Sequence, residues 1–104
     1  MGEQDDQGEL KKLIVRDMSL DAEEKIFAAE NMERLKEKLT DAINILLQTD
    51  FQKLLNAMYR LDIDEKLFRD TLSDVHSPSI AGRLADLVIN REMEKVKTRK
   101  KYGA

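Results

Sequence analysis

The chain has 104 residues, a formal net charge of −3, and 38% charged against 41% hydrophobic residues, enough for one modest hydrophobic core and too short for two. It holds no cysteine, one histidine and no tryptophan. Those counts exclude disulfides, thiolate nucleophiles, iron–sulfur clusters, thiolate zinc sites and multi-histidine metal sites.

The mildly negative balance argues against a dedicated nucleic-acid binder. No apolar run approaches the ~20 residues of a membrane span. The acidic opening MGEQDDQGEL is the reverse of a signal peptide's basic start and apolar centre. Its Met-Gly start fits myristoylation, but Asp6 stands where that motif takes Ser or Thr. A cytoplasmic, soluble protein with no membrane association is the expectation.

Taken in chain order, residues 1–7 predict a disordered acidic lead, residues 8–101 a single helical domain and residues 102–104 a tail. From Gly8 to Met18, Leu10, Leu13, Ile14 and Met18 recur at helical spacing and predict a short first helix. Asp21 followed by Glu24 has the form of a capping box, in which each side chain takes a free N–H at a helix start. A long helix over about 22–48 should follow, since no proline or glycine interrupts it; at ~1.5 Å per residue it would reach roughly 40 Å. Met32, Leu35, Leu39, Ala42 and Leu46 give it a three-and-four stripe.

Thr49 and Gln52 can close a second capping box, opening a helix whose inward residues would be Phe51, Leu54, Leu55, Met58 and Leu61. Asp62-Ile63-Asp64 breaks it and supplies caps for another short helix through Leu72, with Leu67, Phe68 and Leu72 inward. The segment SDVHSPS reads as a loop, and Ser77 before Pro78 as a start signal for a second long helix over about 78–100. Ala81, Gly82 and Ala85 are small enough to admit a neighbouring helix closely. The predicted fold is therefore all-α: a compact bundle of about five helices, two long and three short.

Catalytic chemistry finds little support. Asp62 and Asp64 alternate as in a calcium loop, but Leu67 and Ser73 occupy the places of its glycine and bidentate glutamate, so they read as caps. His76 lies among Asp74, Ser77 and Ser79 on one loop, without a G-x-S-x-G elbow, and reads as an exposed histidine. No glycine-rich phosphate loop is present, and no cofactor is implied. Carboxylates are too abundant for any pairing in the sequence to signal acid–base work.

Two candidate surfaces remain, both on the last helix. Lys95, Lys97, Arg99, Lys100 and Lys101 could contact phosphates, although they also complement the negative end of the helix dipole. Beyond Asn90 an apolar stripe of Ile89, Met93 and Val96 persists, and something must cover it. Either the first helix, through Leu10, Leu13 and Ile14, or a second copy of the chain in a homodimer could do so. The expectation is a non-catalytic protein-interaction or assembly module. The alternatives are a nucleic-acid-associated protein using the basic helix end, and a helical enzyme built on carboxylates.

Overall fold

The computed structural model describes residues 3–20, 23–73 and 79–102, with side chains described for 7–20, 24–73 and 79–99. Among these residues the chain forms α1 (Glu3–Met18), α2 (Glu23–Phe27), α3 (Met32–Thr49), α4 (Phe51–Arg60), α5 (Glu65–Ser73) and α6 (Ile80–Tyr102), and no strand. The all-α bundle is as the periodicity indicates. α6 packs most extensively on α3 and next on α1, while α4 bridges α1 and α3 and α5 rests on α6. The core is continuous, running from Leu10, Ile14 and Met18 through Leu35, Leu39 and Ile43 to Leu84, Ala85 and Val88.

Several boundaries differ from the sequence reading. α1 begins at Glu3, so residues 3–7 of the expected disordered lead are helical. The long helix over 22–48 is two helices, α2 and α3, because Asn31 interrupts it. Asn31 is extended at φ −153°, and its side chain accepts the Arg34 N–H at 2.9 Å, an N-cap that competes with a continuing helix. The break turns Ala29 into the core beside Ile26. Lys11 of α1 donates to the freed carbonyls of Phe27 and Ala29. Asp21 of the expected capping box, His76, Ser77 and Pro78 lie outside the described residues.

At the α3–α4 junction the cap is Asp50, not Thr49. The Asp50 carboxylate accepts the Lys53 N–H, while the Thr49 hydroxyl donates back to the Ile45 carbonyl. Two helix ends close on left-handed residues that are not glycine. Ser19 (φ 52°) follows α1, and Asp62 (φ 61°) follows α4 by one residue. Around Ser19 the Leu20 N–H reaches Val15 O and the Ser19 N–H reaches Arg16 O. Around Asp62 the Ile63 N–H reaches Met58 O and the Asp62 N–H reaches Tyr59 O. Both are Schellman closures, which satisfy carbonyls the helix leaves free.

Gly82 serves the start of α6 and not a neighbouring helix. A Cβ there would lie 2.9 Å from the Ser79 hydroxyl, which accepts the Gly82 N–H. Close helix approach falls instead to Ala81 and Ala85, both buried.

Candidate interaction surface and buried acid pair

The inward face of α6 runs Ala81, Leu84, Ala85, Val88, Ile89, Glu92 and Val96. Helical spacing therefore puts a glutamate, not Met93, on the continuing core line. Ile89 and Val96 are buried at 7% and 5% exposure, whereas Met93 is at the rim with 36%. Since α1 packs on α6, two of the three residues of the expected interaction stripe are enclosed within the chain and offer no surface to a partner.

Glu92 is fully enclosed, and Asp17 of α1 is 4% exposed. No donor among the described residues reaches either Glu92 carboxyl oxygen. Asp17, by contrast, is well supplied: Arg16 Nε donates to its Oδ1 at 3.0 Å and Lys95 Nζ to its Oδ2 at 3.2 Å. Burial alone would raise the Asp17 carboxyl, but the neighbouring Glu92 carboxyl and the hydrogen bonds from Arg16 and Lys95 outweigh it and hold the group below its ordinary range. Burial and the neighbouring Asp17 carboxylate push Glu92 up to about 8, so at neutral pH it keeps its proton. Neither residue is itself a lining residue of a described cleft, although Arg16 and Lys95, which hold Asp17, line the groove between α1 and α6.

Two of the five basic candidates are committed to α1. Lys95 is on Asp17, and Arg99 donates to Glu9. Together with Arg16 and Arg91 they line an open groove of ≈ 500 Å³ between α1 and α6. Each of these cations is paired: Arg16 and Lys95 with Asp17, Arg91 with Glu94 and Asp62, and Arg99 with Glu9. The local charge is thus nearly balanced and has little to offer a polyanion. Lys97 is exposed; the side chains of Lys100 and Lys101 lie outside the described set.

A more distinctive surface lies between α4 and α5. Phe51, Leu55, Met58, Tyr59, Ile63, Phe68 and Leu72 line an apolar cleft of ≈ 260 Å³, with Glu65 and Arg69 as its charged members. Phe51 and Tyr59 stay 44% and 59% exposed. The Phe51 and Phe68 rings stack at 6.4 Å between centroids, inclined by 19°, which fixes one wall. The sequence reading took Phe51 and Leu67 as core. Both are near half exposed, because α4 turns Leu54, Ala57 and Met58 fully inward and α5 only Phe68 and Thr71. The signal for this surface was present in the crowding of Phe51, Leu55 and Tyr59 on one side of α4, at i, i+4 and i+8, distinct from the core line of Leu54, Ala57, Met58 and Leu61.

Among the described residues no group of three or more metal-ligating side chains occurs, and no helix is long and apolar enough to cross a membrane. Comparison with protein families, curated proteins and solved structures finds no match to the chain.

Proposed function

We propose that the chain is a non-catalytic helical interaction module of the cytoplasm, and that it docks a protein partner in the α4–α5 cleft. The supporting observation is the cleft itself, a contiguous apolar surface flanked by two half-exposed aromatic rings. Aromatic side chains in desolvatable pockets are the groups that carry most binding energy at protein interfaces. A groove between two helices, floored by Met58 and Leu55, suits the apolar anchors of an amphipathic helix. The non-catalytic reading rests on the acid pair, whose shifted carboxyl groups are buried between α1 and α6 beneath cations that are already paired.

The test is selection of amphipathic helical peptides against the folded chain, followed by mapping of backbone amide shifts. Shifts should concentrate in residues 51–72. Leu55→Glu combined with Tyr59→Glu should weaken binding at least ~10-fold, as loss of two central anchors does, with the circular dichroism spectrum unchanged. Selected peptides that map elsewhere, or that bind the double variant equally well, overturn the assignment.

A further inference from the structure

We propose that Asp17 and Glu92 form a proton-dependent latch for α1: with the buried Glu92 carboxyl protonated α1 is docked on α6, and loss of that proton loosens α1 ahead of the rest of the bundle. The geometry is specific. Both carboxyl groups are buried, one on each side of a single helix–helix contact. The two cations nearest them, Arg16 and Lys95, are hydrogen-bonded to Asp17, and no donor of a described residue reaches Glu92. Two ionised carboxylates there would repel each other, and Glu92 would be a buried charge without a hydrogen-bonded counter-ion.

Every packed element has a defined part. α1 presents Asp17 and Arg16, with Glu9 further along on Arg99. α6 presents Lys95 beside Glu92 itself, whereas its Arg91 is turned to the Leu61 carbonyl, Asp62 and Glu94. α4 contributes Arg60, which is on the Asp17 main-chain carbonyl and the Ser19 hydroxyl. The ion pair between α3 and α6, Lys36–Asp86, and the α5 pair Glu65–Arg69 are exposed. Withdrawing α1 removes the repelling Asp17 and admits water to Glu92 in one movement, while α6 keeps its larger contact with α3. That is why the response belongs to α1.

The direction follows from linkage. Docked, Glu92 titrates at about 8; released, it returns toward the ordinary 4.5. The docked state therefore binds more protons across that interval, and its advantage falls as pH rises, by at most ~10-fold per unit, then levels off above the docked value. Asp17 is held below its ordinary range and stays ionised throughout, so it adds no slope there.

Hydrogen–deuterium exchange read by mass spectrometry from about pH 5 to about pH 9, expressed as protection factors to remove the intrinsic pH dependence, tests the latch. α1 amides should lose protection with rising pH and level off near 8, while α3 and α6 hold theirs. In Glu92→Gln, whose amide stays neutral, the α1 profile should be flat. Equal loss in all helices, or an unchanged slope in the Gln variant, overturns the proposal. Should that variant not fold, the wild-type infrared spectrum decides. A protonated-carboxyl band at about pH 6.5, disappearing in step with α1 protection, supports the latch, and its absence overturns it.

Discussion

Arg60 of α4 donates to the main-chain carbonyl of Asp17, 2.7 Å away and 43 residues earlier in the chain, and to the Ser19 hydroxyl at 2.9 Å. The end of α1 is thus closed partly by its own Schellman turn and partly by a cation from another helix. The arrangement recurs. Arg91 of α6 donates to Leu61 O at the end of α4, and Lys11 of α1 donates to Phe27 O and Ala29 O at the end of α2. Each cation meets the negative end of a helix dipole and satisfies a carbonyl the helix leaves unpaired. Each bond also joins two separate helices, so local closure and tertiary docking share the same contact.

Arg60→Met keeps much of the aliphatic stem and removes both hydrogen bonds. Charge-assisted bonds of this partly buried kind contribute about 1.5–3 kcal/mol each in favourable settings. Water can replace part of that at the exposed Ser19 end. A loss of about 1–2 kcal/mol is expected, visible as a lower urea midpoint with an unchanged slope. An unchanged midpoint would mean that Arg60 is not holding the α1 end.

The two left-handed residues should respond differently to glycine. Asp62 is 90% exposed in its side chain and reaches Arg91 only at 3.9 Å, so Asp62→Gly relieves the left-handed backbone and gives up little. It should stabilise by about 0.5–1 kcal/mol, the ~1–2 kcal/mol left-handed penalty of a Cβ less the ~0.5–1 kcal/mol that glycine's chain entropy costs. Ser19→Gly gains similarly but loses the hydroxyl that Arg60 grips, and should come out near neutral. Thermal midpoints of the two variants, compared with wild type, check the contrast.

Helix starts separate sequence reading from structure most clearly. Both Thr49 and Asp50 are good capping residues, and the box formed by Thr49 with Gln52 was the more visible pattern. Asp50 takes the cap because α3 extends through Thr49, whose hydroxyl is occupied by the Ile45 carbonyl. Asp50→Ala and Asn31→Ala should each lose about 1 kcal/mol, whereas Thr49→Ala should change stability by only a few tenths. Equal losses at positions 49 and 50 would place the cap wrongly.

The buried acid pair was legible only in part. Leu10, Leu13, Ile14 and Met18 fix the inward face of α1, and Asp17 falls on that face between Ile14 and Met18. Val88, Ile89 and Val96 likewise bracket Glu92. Strict spacing therefore pointed to both residues. Hydropathy pointed away from them, because ionisable groups are rarely buried without a partner, and Met93, one position along, offered an apolar substitute. What spacing could not supply was that the faces of α1 and α6 meet at these two residues. The α3 line of Leu35, Leu39, Ile43 and Leu46 and the first half of the α6 line, Ala81 to Ile89, needed no such information, since they are apolar throughout. The α2–α3 break was hidden for another reason: Asn31 is an ordinary surface residue of a helix until its side chain captures the Arg34 N–H.

Val96 and Met93 allow the cover over the last helix to be measured. Val96 is 5% exposed and belongs to the continuous core, while Met93 is 36% exposed. An aspartate at 96 would be an unpaired charge in an apolar contact, near the already crowded Glu92, and Val96→Asp should lose roughly 3–5 kcal/mol. An aspartate at 93 can point into water, so Met93→Asp should stay within about 0.5 kcal/mol of wild type. Because Val96 is buried by other residues of its own chain, neither substitution should change the mass measured in solution by light scattering. If Met93→Asp instead halved that mass with stability intact, the rim of α6 would be an interface between copies, and the intramolecular account of the stripe would fail. A stability loss confined to Val96→Asp, with mass constant in both variants, places the cover within the chain.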